Sequence, residues 1–222
     1  MINQARYRHD YDGEFVIVET KWSGGKKEQK REWVPNPIEN QHISGRATCI
    51  LSAIDQFRYD YRKLESHRGG LLGSKKLQNY STGHTARDMR LDFTVEIDSA
   101  ELAEIINRKY QEKNIVYTTT RQCLIHPGEF YLIPYNPNMC IEALVVYLAA
   151  FDGHKEVFII GANTDMTASN NTWADQVGRV IDLYRSTNFI AVGNSATVPE
   201  SWYNLPNFKT MEYREFLSYC DC

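Results

Sequence analysis

The chain has 222 residues and a mass of 25.7 kDa, the size of one large domain, which is long enough to bury a core without disulfides or metal. Hydrophobic residues make up 42% and charged residues 24% of the chain, proportions that exclude a disordered or collagen-like protein. Apolar runs stay shorter than the roughly 20 residues that cross a bilayer, and the first residues lack a signal-peptide core, so we expect a soluble, cytoplasmic protein without a membrane span.

The first predicted element is a β-hairpin within an N-terminal extension that spans residues 1–43. Residues 14–22 are rich in β-branched and aromatic side chains, which favour a strand, and the following Ser23, Gly24 and Gly25 predict a turn. A charged second strand reaches Trp33 and Val34. It ends at the prolines that follow, because proline cannot donate a hydrogen bond to a sheet.

Residues 44–222 alternate between predicted strands and predicted helices. Short apolar runs indicate strands, and apolar residues at helical spacing indicate helices, the first of which has Ser99 as its N-cap. The predicted strands are 46–51, 76–80, 91–97, 114–118, 130–134, 156–161, 189–193 and 208–211, and the predicted helices are 100–110, 140–151, 173–184 and 213–219. Strands separated by helices imply right-handed crossovers. The predicted fold class is therefore α/β, a Rossmann-like, mostly parallel sheet flanked by helices, with the N-terminal β-hairpin appended.

Charge is distributed unevenly along the chain. Residues 1–90 carry 16 basic and 11 acidic side chains, whereas residues 91–222 carry 9 and 17. The basic first part can attract phosphates or an acidic partner, and it can equally be a solvated face of the hairpin. Its excess is too small to indicate a nucleic-acid-binding protein. The five cysteines and six histidines show no spacing typical of a metal site, so no metal is predicted.

Candidate site residues are those that follow the predicted strands, because open α/β sheets bind ligands beyond the carboxyl ends of their strands. They are small, polar or glycine-containing, as a phosphate or sugar site requires and as any sharp strand-to-helix turn also requires. The positions are Ser52, Thr82, Gly83, His84, Asp98, Thr119, Arg121, Gly161, Asn163 and Asp165.

Two of these positions have a purely structural alternative. The carboxylate of Asp98 can bind a ribose hydroxyl or a divalent cation, or it can cap the helix that follows. Residues 118–121 offer three hydroxyls and the guanidinium of Arg121 to a phosphate, although threonine also favours strands for steric reasons. A Walker loop, a G-x-G-x-x-G turn and a G-x-S-x-G elbow are missing from the chain, which argues against a P-loop NTPase, a standard NAD dehydrogenase and an α/β-hydrolase.

The order of these pieces resembles a known Rossmann-like family over about residues 44–195. The matching pieces are residues 80–83, Arg87-Asp88, residues 93–98 and residues 143–163, which end in Gly161-Ala162-Asn163. The family is the group of hydroxymethylpterin-diphosphokinase-like proteins, motility-associated glycosyltransferases and phage-encoded relatives. Its glycine-rich nucleotide loop is degenerate here, since the corresponding residues 50–55 retain only Ser52.

The resemblance implies a nucleotide-dependent transferase, specifically a glycosyltransferase that uses a nucleotide-sugar with or without a divalent cation. His84 or Asp165 would then act as acid or base, and the other positions named above would bind the donor. The alternative is a non-catalytic phage structural, assembly or host-interaction protein on the same core, located in the host cytoplasm or the virion. Its protein-contact surface would be the basic hairpin with Trp22 and Trp33, although these tryptophans can instead cover the core.

Overall fold

The chain folds into a hairpin and a parallel α/β sheet in a computed structural model, which describes residues 13–35, 45–51, 77–162, 172–193 and 198–220. The predicted α/β class is confirmed: an eight-stranded sheet, parallel at every pairing, is accompanied by helices, and the two-stranded hairpin forms a separate sheet. Among the described residues, no helix is both long and apolar enough to cross a membrane.

The hairpin consists of β1 (Gly13–Ser23) and β2 (Lys26–Pro35), which pair antiparallel as predicted. Its two-residue turn requires Gly24 and Gly25, whose φ angles are 56° and 77°, since two positive φ angles are needed for the turn that matches strand twist. The pairing register shifts once, between Ile17 and Glu19. This β-bulge was not predicted.

The main sheet is built from short strands close to their predicted positions. They are β3 (Arg46–Ile50), β4 (Leu77–Thr82), β5 (Phe93–Val95), β6 (Ile115–Thr118), β7 (Tyr131–Leu132), β8 (Glu156–Ile160), β9 (Asn188–Val192) and β10 (Phe208–Met211). The helices are α1 (Ser99–Asn107), α2 (Thr120–Ile125), α3 (Ile141–Phe151), α4 (Thr172–Leu183) and α5 (Tyr213–Cys220). Short 3-10 turns cover Thr85–Arg87, Tyr110–Glu112 and Glu200–Asn204.

Two local predictions need correction. Ser99 was predicted to cap α1, but Ser99 is its first helical residue and Asp98 is the N-cap, with extended backbone angles and a side chain that accepts from two backbone N–H groups. The short helix α2 was not predicted, because residues 118–121 have the threonine content typical of a strand end.

The strand order identifies the point where the direction of the fold changes. The order across the sheet is β10-β9-β8-β3-β4-β5-β6-β7, so the chain moves outward from β3 through β7 and then returns to the other side of β3 with β8. The order therefore reverses between β3 and β8, which is where open α/β sheets form a ligand crevice at their carboxyl edge.

The core covers both faces of the sheet, which explains why β8 is continuously apolar from Val157 to Ile160. In β8, Val157 and Ile159 pack in one cluster with α3 and α4, while Phe158 and Ile160 pack in a second cluster with Phe216 of α5. Helix α3 is buried from Ala143 to Phe151. Trp33 of the hairpin is partly buried against the first cluster, so one of the two predicted contact tryptophans helps to cover the core.

A hydrogen-bonded polar network lies inside this core. The hydroxyl of Tyr80 donates to Asp152 Oδ2 at 2.6 Å and lies 3.0 Å from His154 Nε2, and all three residues are fully buried. Because the hydroxyl hydrogen is used on Asp152, Nε2 of His154 must carry the hydrogen that completes the second bond. The network joins β4 to the segment between α3 and β8 and is closed to solvent, so we assign it a structural role.

Replacing Tyr80 with phenylalanine removes the donor to a buried carboxylate and leaves the ring in place. We expect Tyr80→Phe to lower the free energy of unfolding by about 1–3 kcal/mol, because the buried Asp152 carboxylate loses one of its hydrogen bonds. Urea unfolding measures the change, with the half-exposed Tyr203→Phe as a matched control that should stay within about 0.5 kcal/mol of the wild type. Equal stability of the two variants would show that the network contributes nothing.

Candidate functional site

The reversal of strand order places the expected ligand crevice where β3 and β8 end. The backbone N–H of Leu51 donates to the carbonyl of Ile160 at 2.9 Å, so the two strands stay paired to their last residues. Gly161 follows directly, is buried, and has a φ of 77°, a conformation that favours glycine. The predicted site residues Ser52, Asn163 and Asp165 lie outside the described residues.

The end of β4 contains three predicted positions in different environments. Thr82 is half-buried, Gly83 is buried and His84 is exposed, just before the first 3-10 turn. A Cβ atom added to Gly83 would lie 2.7 Å from Oε2 of Glu96. Gly83 therefore makes room for a carboxylate of the protein, which is a structural reason for a glycine at this position.

Glu96, which was not predicted, is the central charged group of this edge. It directly follows β5, is 4% exposed, and accepts hydrogen bonds from the backbone N–H groups of Gly83, Ile97 and Asp98 at 3.2, 2.8 and 2.9 Å. Burial raises the pKa of Glu96 above its ordinary value, the three N–H donors oppose that shift, and the nearby charge of Glu101 adds to it. A single glutamate that closes an apolar run was the sequence signal for this residue.

An ion pair covers the same corner from outside. Arg87 makes a two-pronged contact with Glu101 of α1, in which its Nε donates to Oε1 at 3.0 Å and its Nη2 donates to Oε2. The pairing raises the pKa of Arg87. Since Arg87 is exposed, water screens this pair and its contribution to stability is small. The guanidinium of Arg87 is therefore already paired within the protein. In the family resemblance, Arg87-Asp88 corresponds to an Arg-Asp pair of the family.

Asp98 performs the structural role that was weighed for it. Its Oδ1 accepts from the N–H groups of Ala100 and Glu101 at 2.9 and 3.0 Å, and its side chain is exposed at the start of α1. These contacts leave Oδ2 exposed toward solvent at the carboxyl edge of the sheet.

The end of β6 contains buried oxygen atoms with no hydrogen-bond partner in the part of the chain that the structure describes. They are Oγ1 of Thr118 and Oε1 of Gln122, both on residues that are at most 5% exposed. Gln122 uses its Nε2 to donate to Ser99 Oγ at 2.6 Å, which connects α2 to the start of α1. Of the predicted residues here, Thr119 is half-buried with no side-chain cap bond, and Arg121 is exposed.

Taken together, the described members of the predicted site form a row along one edge of the sheet. Gly161 ends β8, Thr82 and Gly83 end β4, Asp98 follows β5, and Thr119 follows β6. With strands about 4.8 Å apart, β8 and β6 are separated by about 19 Å. The row is therefore extended along the edge, with Leu51 of β3 between Gly161 and Thr82.

A groove of about 360 Å³ adjoins the corner that Arg87 covers. It is lined by Arg87, Arg90, Tyr110, Lys113 and Asn114 together with residues 86, 88 and 89, and its cations outnumber its single acid. None of the predicted site residues lines it.

Metal ligands and reactive thiols are not prominent in this region. Within the described ranges, no group of three His, Cys, Asp or Glu side chains is arranged to hold a metal ion. Burial raises the pKa of the Cys49 thiol, and that of Cys140 to about 11, so neither thiol is activated as a nucleophile.

Comparison with known proteins adds no relative to this description. No protein-family model, no curated protein and no solved structure matches the chain. The resemblance to the hydroxymethylpterin-diphosphokinase-like and motility-associated glycosyltransferase group stays a prediction.

The two roles of Asp98, capping and charge, can be separated by substitution. We expect Asp98→Ala to lower the free energy of unfolding by about 1 kcal/mol, whereas Asp98→Asn should keep most of it, because asparagine also accepts from the first N–H groups of a helix. Thermal and urea unfolding of the two variants measure the difference. Equal destabilisation by both variants would mean that the charge of the carboxylate, rather than its oxygen acceptor, stabilises α1.

Glu96 should make the stability of the protein depend on pH. A carboxyl group whose pKa is higher in the folded state stabilises the fold fully below its unfolded pKa, and this contribution is lost as the pH rises through the folded pKa. We therefore expect the stability of the wild type relative to Glu96→Gln to fall as the pH is raised from about 4 upward. Urea unfolding across this range tests the sign, and parallel stability curves for the two proteins would contradict it.

Proposed function

We propose that the protein is a nucleotide-dependent transferase, specifically a glycosyltransferase that binds a nucleotide-sugar donor along the carboxyl edge of the sheet. The observation that carries the proposal is the reversal of strand order between β3 and β8, with Gly161 at its carboxyl end. In sheets of this kind, such a reversal opens a crevice that binds nucleotides.

Polar groups farther along the same carboxyl edge support a donor of this type. Thr82 and Thr119 offer hydroxyl groups and Arg121 offers a guanidinium, which are suited to sugar hydroxyls and phosphate oxygens. The partnerless oxygens of Thr118 and Gln122 also favour a polar ligand or water at this end of the sheet, because buried polar atoms normally have a partner.

The phosphates would be held without a glycine-rich loop. Leu51 is 5% exposed and occupies the position at which the resembling family begins its loop, so close backbone approach by a phosphate is obstructed there. The guanidinium of Arg121 and the hydroxyl of Thr119 would supply the contacts instead. A divalent cation, if the donor brings one, would find the free oxygen of Asp98 on the same edge.

The transfer itself needs a group that accepts a proton from the acceptor substrate. His84 is the described candidate, since it is exposed at the end of β4 and histidine is the side chain most often used as a general base. The acceptor hydroxyl would lose its proton to His84 and attack the anomeric carbon, and the nucleoside diphosphate would leave with the electrons of the broken carbon–oxygen bond. Asp165, the other predicted acid or base, lies outside the described residues.

Thermal unfolding against a panel of nucleotides and nucleotide-sugars, with and without Mg²⁺ or Mn²⁺, tests this proposal. A donor at about 100 times its dissociation constant should add about 2.7 kcal/mol of stability. We expect Arg121→Gln and Asp98→Asn to weaken the donor at least about tenfold, which removes about 1.4 kcal/mol of that stabilisation. Lys155→Gln is the matched control, because Lys155 is exposed at the opposite edge, just before β8, and should leave the shift unchanged.

A flat panel would contradict the transferase and favour the second candidate function, a non-catalytic interaction protein. The observation in its favour is the exposure of large apolar side chains on the hairpin, where Phe15 is 70% and Trp22 is 73% exposed. Exposed aromatic residues of this size are typical of binding surfaces.

A further inference from the structure

The bulge in β1 decides which side chains share a face of the hairpin. Side chains alternate along a strand, so Phe15 and Ile17 should lie opposite Trp22 if the pairing were regular. The register shift between Ile17 and Glu19 reverses the alternation, because Ile17 pairs with Arg31 and Glu19 pairs with Lys30, the next residue along β2. Phe15, Ile17 and Trp22 therefore lie on one face.

This aromatic-basic face contains apolar and cationic residues without any acidic residue. Phe15, Ile17 and Trp22 are 70%, 49% and 73% exposed, which is unusual for side chains of this size so close together. Its cross-strand pairs include Phe15–Trp33, Ile17–Arg31, Thr20–Gln29 and Trp22–Lys27, and of these residues Trp33 is partly covered by the core of the main sheet.

The opposite face carries acidic residues together with cations. Glu14, Glu19 and Glu28 share it with Lys21, Lys26 and Lys30, and Lys21 Nζ forms an ion pair with Glu19 Oε1 at 2.9 Å. The hydrogen bond and charge of Lys21, followed by the charge of Lys30, lower the pKa of Glu19. Because these carboxylates lie on the opposite face, the charged side chains of the aromatic-basic face are the two cations Lys27 and Arg31.

We propose that the aromatic-basic face binds single-stranded nucleic acid, with bases stacked on Trp22 and Phe15 and phosphates paired with Lys27 and Arg31. Aromatic rings beside cations are the combination that holds single strands, since rings stack on exposed bases and cations follow the backbone. A duplex keeps its bases stacked on each other and would leave these rings unused.

The cations beside the exposed rings favour single-stranded nucleic acid over an acidic protein as the partner. The charged residues of the aromatic-basic face are Lys27 and Arg31, and lysine is depleted in protein–protein interfaces, whereas cations next to stacking rings suit a single strand. Successive residues on one face of a strand are about 6.8 Å apart, so the exposed rings and cations of this face alternate over a length that several nucleotides can follow. The proposal specifies the partner of the interaction-protein candidate and does not depend on the crevice.

Fluorescence anisotropy with a labelled oligo(dT) of about 20 nucleotides tests the proposal, using the full chain at several salt concentrations. We expect Trp22→Ala to weaken binding at least about fivefold through lost stacking. The double variant Lys27→Gln/Arg31→Gln should make the slope of log affinity against log salt shallower by about 1.4, since each phosphate contact to a single strand contributes about 0.7. The matched control is Lys26→Gln/Lys30→Gln, which removes the same charge from the opposite face and should leave the slope unchanged.

Four outcomes would overturn the proposal. They are an absence of binding, equal loss in both double variants, binding of a duplex as tightly as the single strand, and binding of poly-glutamate as tightly as oligo(dT). The last outcome would leave the hairpin as a protein-contact surface. Trp22→Ala should also keep any nucleotide-dependent shift in thermal stability, so that failure of the hairpin proposal and failure of the transferase proposal are distinguishable.

Discussion

The central strand β3 is the constraint on which the rest of the sheet depends. Its residues from Ala47 to Ile50 are fully buried, and the strand is hydrogen-bonded to β4 on one side and β8 on the other. No polar side chain can stay on such a strand without an internal partner, and the hydroxyl of Thr48 is accordingly bonded to Oδ1 of Asn79. Since helices must cover both faces of β3, the chain crosses to its other side after β7, and that crossing produces the reversal of strand order at which open α/β sheets bind ligands.

The carboxyl edge beside this strand is organised by backbone contacts to one buried charge. Glu96 joins the end of β4 at Gly83 to the start of α1 at Ile97 and Asp98, so the two turns cannot move independently. An ionised carboxylate is costly to bury, and the three N–H donors offset much of that cost without removing it. A ligand that approached this edge would therefore meet turns that are already ordered, which reduces the conformational entropy lost on binding.

The strands were predictable where burial on both faces produces a continuous apolar run, as in residues 156–161. The helices were predictable because their apolar residues recur at helical spacing, as in residues 173–184. The candidate residues could be placed at the carboxyl edge because strands that alternate with helices form a parallel sheet, in which all strands end at the same edge. Glu96 was missed because its role depends on a hydrogen bond from the N–H of Gly83, which is 13 positions earlier in the chain, and local sequence patterns do not reveal such a contact. Helix α2 was missed because threonine-rich residues favour strands and the helix is too short to show a period.

The bulge in the hairpin was the least predictable feature, and it changes how the basic first part of the chain is understood. Strict alternation separates Phe15 from Trp22, and the sequence alone predicted a contact surface on the basic hairpin with Trp22 and Trp33. A one-residue shift collects the rings on the side without acidic residues. A two-stranded ribbon is marginally stable alone, and exposed rings add a risk of aggregation that lysines on the strands only partly counter. Retaining both rings on such a ribbon is therefore better explained by a partner that covers them than by the stability of the hairpin itself.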